Sequence, residues 1–180
     1  MAAVSLAEEP ARIKDIFLVD QKNSAGVYAA TMYLLGMPIT VTVDDYLPLD
    51  KHKNKPIYGG IGEDDGALWG AIFEKMFAKF YGNYVGLEGG VGSDGITAMT
   101  GAPDTYFVHE DVMKDSSLQE EFWQKLIASL STNMMVTSGS YDGNGSDKET
   151  NKLGLPYYHA FAVMNALEVV DADGLMHRLI

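Results

Sequence analysis

His159, in the run Tyr157-Tyr-His-Ala-Phe-Ala-Val163, is the side chain of this sequence best suited to proton transfer. An imidazole titrates near neutrality, so it can take up and return a proton at physiological pH. Taken alone, a histidine in an otherwise apolar, strand-like run is more often a hydrogen-bonded structural residue than a catalyst. Its place favours chemistry: it follows a long Gly/Asn/Ser/Asp loop, Ser138–Lys152, and stands at the start of a strand, where clefts are usually built. His52, His109 and His177 sit in polar or terminal contexts and form no cluster with it, and no Ser/His/Asp set is evident. The chain has 0 cysteines, which excludes disulfides, thiolate zinc sites and a thiol nucleophile within these residues.

Carboxylates offer a second kind of chemistry. Asp44-Asp45 and Glu63-Asp64-Asp65 are acidic clusters at the ends of expected elements. Turn and helix-cap roles account for most such clusters, and holding a cation is the minority reading of either. Two further patterns fail on context. Gly90-Val-Gly92-Ser-Asp-Gly95 has the letters of a dinucleotide fingerprint, but a helix and an aromatic turn precede it where a strand is required, so no nucleotide is expected. Asp142-Gly-Asn144-Gly-Ser146 resembles the first half of a calcium loop, yet Asp147 stands at the glycine position and Leu153 at the twelfth, which rules out an EF-hand.

The elements that must position these groups follow from hydrophobic period. Leu68, Trp69, Ile72, Phe73, Met76, Phe77 and Phe80 recur at three- and four-residue spacing and predict a buried helical face, with Asp64 or Asp65 at its cap and Gly82 closing it. Before it, Ala2–Phe17 reads as helix broken near Pro10, and Gly26–Leu35 and Met37–Val43 as an extended pair whose threonines face out. After it come a short helix near Ile96–Met99, a helix from Ser117 with Glu120 completing a capping box, and strands at Met134–Thr137, Tyr157–Glu168 and Leu175–Ile180 around a hairpin turn at Asp171–Gly174. The fold expected is α+β: a first lobe over residues 1–90 that mixes helix with a β-pair, and an antiparallel β second lobe covered by a helix over residues 91–180, the boundary lying somewhere in 85–103.

Composition bounds the partners. The 25 acidic against 13 basic residues give a formal net charge of −12, which argues against nucleic acid because nothing here would neutralise phosphates. No run of eighteen apolar residues is present, so no membrane span is expected, and the N-terminus lacks the pattern of a signal peptide.

In order along the chain, five local patterns resemble the catalytic core of calpain-type cysteine proteases. Ala2–Pro10 looks like the helix after the family's nucleophile. Val41-Thr-Val-Asp-Asp-Tyr-Leu-Pro48 is similar to its V-x-V-D-D-x-L-P strand end. Leu68-Trp69 through Glu74-Lys75, Ala78-Lys79, Gly82, Tyr84, Leu87 and Gly89-Gly90 follow its longest run almost letter for letter. Thr100-Gly101 fits the next turn, and Tyr158-His159-Ala-Phe-Ala-Val163 resembles the strand bearing the catalytic histidine. The resemblance implies a papain-like α+β core with a helical first lobe and a helix-covered antiparallel β second lobe, both incomplete, from a calcium-dependent cysteine endopeptidase that performs limited proteolysis of cytosolic proteins. It implies a cytoplasmic location, a protein or peptide substrate and the rest of a parent polypeptide as partners, with His159 as the catalytic imidazole and calcium as the metal, through Asp64 and Asp65. The family's Asp-Cys-Trp and oxyanion Gln would lie before Met1 and its Asn-Pro-Trp after Ile180, so the chain alone is expected to be inactive. Two departures stand out: Tyr158 replaces a Gly before the histidine, and Ala67 stands where the family has a calcium-binding carboxylate two residues before the helix Trp. The alternative these departures raise is a non-catalytic scaffold of the same fold. A third reading, an unrelated acidic binding domain, would place His159 in a sealed core.

Overall fold

In the computed structural model, which describes residues 9–53, 55–60, 67–140 and 148–180, the chain divides at Ala102/Pro103 into two units. The first begins with helix α1 (Pro10–Ile16), opened by a proline at its first turn and burying Ile13 and Ile16. It runs directly into β1 (Phe17–Val19), a strand the sequence did not signal. With β2 (Val27–Leu34) and β3 (Met37–Asp44) this makes an antiparallel sheet of order β1-β2-β3. The register pairs Val27 with Asp44 and Leu34 with Met37, which leaves Leu35-Gly36 as a two-residue turn with φ of 51° and 78°. Both positive angles are what a tight hairpin needs. Along β3 Val41 and Val43 are buried while Thr40 and Thr42 face solvent, the expected alternation.

Helix α2 (Trp69–Phe80) forms over the expected residues and buries Ala71, Ile72, Phe73, Met76 and Ala78. The buried face is rotated from the predicted one: Leu68 and Trp69 are exposed, and two alanines take their place. Small side chains there let the helix lie close on the sheet, against β3. Leu68, not Asp64 or Asp65, occupies the N-cap, and no side chain caps the helix. Tyr81 ends it through its N–H to the Phe77 carbonyl, and Gly82 follows with φ of 102°. Aromatic contacts fix the inner face, with the Phe73 ring 5.6 Å from Phe17 and 5.3 Å from Phe77.

Two lysines of α2 reach the end of β3. Lys75 Nζ donates to the Asp44 carboxylate at 2.5 Å and to the Tyr46 carbonyl at 2.5 Å, and Lys79 Nζ donates to the Thr42 carbonyl at 2.6 Å. After a 3₁₀ turn at Val85–Leu87, α3 (Gly92–Thr100) packs Ala98 and Met99 inward and lies against β2. It begins earlier than predicted and belongs with the first unit. Gly101 closes it with φ of 71°, and a Cβ there would sit 2.6 Å from the Tyr33 ring, so both backbone and space demand glycine.

The second unit opens with a short helix, α4 (His109–Val112), followed by α5 (Ser116–Ser131). The cap of α5 is Asp115, whose carboxylate accepts from the Ser117 N–H at 2.8 Å and the Leu118 N–H at 3.3 Å. The predicted Ser117/Glu120 capping box does not form, because Glu120 is drawn to Arg178 and Gln124 instead. Trp123 and Leu126 of α5 and Val163 make the core of this unit, with Phe122, Ile127, Leu130, Val136 and Ala166 packed around them.

Over that core lie β4 (Thr137–Gly139) and β5 (Ala160–Ala162), paired antiparallel, and a separate hairpin of β6 (Leu167–Val170) and β7 (Met176–Leu179). The single strand predicted over Tyr157–Glu168 is therefore broken. At the break the Asn165 side-chain oxygen accepts the Ala166 N–H at 2.8 Å, a local bond that competes with the ladder. The Asp171–Gly174 turn forms as expected, with Asp171 Oδ1 accepting from Asp173 and Leu175 N–H groups and Gly174 at φ of 80°. The hairpin is tied to α5 by one cluster. The Trp123 indole N–H donates to Glu168 at 2.7 Å, Arg178 bridges Glu168 at 3.2 Å and Glu120 at 2.6 Å, and its guanidinium lies 5.0 Å from the Trp123 ring centre.

Two predictions follow from these contacts. Trp123→Ala removes both the centre of the core and the anchor of the hairpin, and should cost about 3–5 kcal/mol in urea unfolding of the chain; a loss well under about 1 kcal/mol would contradict the packing described. The second concerns Asp44, whose carboxyl is held below its ordinary value of 3.8 by the Lys75 ammonium first and the Tyr46 N–H second. A depressed folded value means that the contribution is present above the unfolded value and is lost as pH falls through the folded one. Lys75→Met should therefore raise the Asp44 value measured by NMR, and its stability deficit relative to wild type should shrink as pH drops below the usual carboxylate range.

Candidate active site

His159 enters β5 from a turn pinned on both sides by backbone bonds. The Tyr157 N–H donates to the Glu149 carbonyl at 3.1 Å, and the His159 carbonyl accepts the Ser140 N–H at 2.8 Å. Ser140 does more than pair. Its hydroxyl accepts the His159 N–H at 3.1 Å and donates to the Pro156 carbonyl at 2.5 Å, so one side chain ties both ends of the turn. The ladder continues through Gly139 opposite Ala160 and Thr137 opposite Ala162, and the Val163 N–H donates to the Val136 carbonyl at 2.9 Å. Since Val163 lies in the core on α5, the histidine stands at the head of a short strand, four residues from a buried anchor.

The imidazole itself is half-buried, not sealed. It stands at 62° to the Phe161 ring with centroids 5.2 Å apart, an edge-to-face contact that limits its rotation. Such a ring, with its backbone fixed and one side open, can accept a proton from a nucleophile and pass it to a leaving group. Ser140 is the residue that sequence reading missed. Nothing in a Ser-Gly-Ser loop segment distinguishes a clamp from a linker before the turn is seen.

The other histidines do not join it. His177 pairs with Asp171 across the β6–β7 turn at 2.6 Å, holding that carboxyl below its usual range, and the His109 ring packs against Phe122. The metal candidates Asp64 and Asp65 lie outside the described residues. Among the described residues no group of three His, Cys, Asp or Glu side chains is close enough to hold a metal ion. One carboxylate stands out, however. Glu74 Oε2, on α2, is buried without a hydrogen-bond partner, and burial pushes its carboxyl up. The backbone at Gly59 passes against it, so close that a Cβ there would lie 2.8 Å from that oxygen. No helix among the described residues is long and apolar enough to cross a membrane.

Known proteins carry the same pattern. The sequence matches the calpain family cysteine protease profile over residues 1–180. It is 28% identical over 181 residues to the calpain-type cysteine protease ADL1 of Oryza sativa subsp. japonica, covering 100% of this chain and 8% of that protein. Calpain-8 of Mus musculus is 28% identical over 161 residues, 89% of this chain and 22% of the mouse protein. Calpain-7 of Homo sapiens is 30% identical over 154 residues, 81% of this chain and 17% of its own length. The chain thus spans less than a quarter of each of these relatives. With an α+β fold, the expected order of motifs and a match along its whole length, this chain belongs to the calpain family of cysteine proteases.

Proposed function

We propose that the chain forms the histidine-bearing part of a calcium-dependent cysteine endopeptidase that carries out limited proteolysis of cytosolic proteins. The observation that carries this reading is His159: half-open, fixed by Ser140 and braced by Phe161 at the head of a core-anchored strand. In a family of cysteine proteases the group such an imidazole serves is a thiol. A free thiol is mostly protonated at neutral pH, and a neighbouring imidazolium stabilises its thiolate. The thiolate adds to the scissile carbonyl, the C–N bond breaks, and the imidazolium gives its proton to the leaving amine. Water then attacks the acyl-enzyme with the neutral ring as base. These 180 residues hold no cysteine, so the thiol must come from the parent polypeptide and the isolated chain gives only background hydrolysis.

Calcium enters the same proposal through carboxylates of the first unit. Ala67 provides none, but Glu74 has a buried oxygen without a partner where the Gly59 backbone passes, and the sequence carries Asp64 and Asp65 between Gly59 and Ala67. A hard cation takes oxygen ligands of this kind and would offset the cost of burying the Glu74 charge.

Two measurements test this reading. In the full-length parent, His159→Ala should lower kcat on a casein-type substrate by at least about a thousandfold, with the fold retained by circular dichroism. Unchanged turnover contradicts the assignment, and a parent inactive from the outset favours the scaffold. By isothermal titration, Glu74→Gln should weaken calcium binding at least about tenfold; equal binding by the two proteins would exclude Glu74 as a ligand.

A further inference from the structure

Among the described residues other than glycine, positive φ occurs at Leu35, Asn133 and Tyr158. The first lies in a two-residue hairpin turn that requires it. The second follows α5 directly, and asparagine tolerates the left-handed region at helix ends. Tyr158 has neither excuse. A bulky aromatic at φ of 49° carries a backbone penalty, and burial does not account for it, because the residue is 51% exposed. The strain is imposed from both sides: the Tyr157 N–H is bound to Glu149, and the His159 N–H to Ser140. A strained, exposed ring immediately before the proposed catalytic imidazole is where such strain tends to serve function.

We infer that Tyr158 is a specificity-determining residue of the protease, one that restricts the substrate residue just after the scissile bond to small side chains. The inference rests on the reading of His159 as the proton donor to the leaving amine. That amine must lie within hydrogen-bond reach of the ring, so the residue that begins the leaving fragment lies beside His159. Tyr158 is one peptide unit away, about 3.8 Å between Cα atoms, and its exposed phenol adds bulk at that position that a glycine would not. Bulk decides the effect, not the hydroxyl, so phenylalanine should do the same work.

The test uses the full-length parent protein as wild type, Tyr158→Gly and Tyr158→Phe. With peptides that differ only in the residue after the scissile bond, kcat/KM for alanine over tryptophan should be about tenfold or more in wild type and Tyr158→Phe, and near unity in Tyr158→Gly. An unchanged ratio in Tyr158→Gly overturns the inference. A second readout needs no turnover: carbethoxylation of His159 by diethylpyrocarbonate, followed by mass spectrometry with His52 and His177 as internal references. It should run several-fold faster in Tyr158→Gly than in the other two, and equal rates overturn the inference whether or not the parent cleaves peptides. Faster modification of a parent that cleaves nothing would remove the protease reading and leave Tyr158 as the screen over the imidazole.

Discussion

The first unit depends on two lysine arms that close an edge of its sheet. β3 is the outer strand of the β1-β2-β3 sheet, so the carbonyls on its open side have no ladder partner. A bare edge of that kind invites pairing with other chains. Lys75 and Lys79, one turn apart on α2, take up the Thr42 and Tyr46 carbonyls and the Asp44 carboxylate. Their ammonium groups reach from the helix to the strand end. The helix can sit low enough for this because Ala71 and Ala78 face inward. Two runs of sequence that look independent, Val41–Pro48 and Trp69–Gly90, are thus halves of one contact. That same placement brings Glu74, the residue before Lys75, against Gly59.

The second unit solves a different problem, that of holding a histidine on a strand of only three residues. β5 alone could not do it. Its position comes from Val163 in the α5 core, from Ser140 across the turn, and from the Trp123–Glu168–Arg178 cluster that fixes the following hairpin. Glu168 accepts from both the indole and the guanidinium, so a single carboxylate joins helix to hairpin. The imidazole is left half-open at the end of this rigid assembly, which is the disposition that proton transfer requires.

Sequence reading succeeded where a period is long enough to register. Twelve residues of α2 and sixteen of α5 carry several turns of apolar repeat, and β3 shows clean alternation at Val41 and Val43. It failed where a long-range partner outbids a local signal. Glu120 has the spacing of a capping box, but Arg178, far along the chain, takes it, and Asp115 caps the helix. Asn165 breaks a run that reads as continuous strand, through a bond to its own neighbour. The same limit applies to the site. His159 can be singled out in the sequence as a candidate because strand, loop and motif converge on it, whereas Ser140 and the buried oxygen of Glu74 stand out only once the chain is folded.

The chain belongs to the calpain family of cysteine proteases, and its two units differ in what they hold: one a three-stranded sheet under a helix, the other a braced imidazole. The central claim is that this imidazole belongs to a thiolate–imidazolium pair. The most direct measurement is the pH dependence of iodoacetamide alkylation of the active thiol in the full-length parent. The account predicts reactive thiolate persisting several pH units below the ordinary thiol value of about 8.5, and loss of that low-pH reactivity in His159→Ala. A thiol that titrates near 8.5 in both proteins would contradict it.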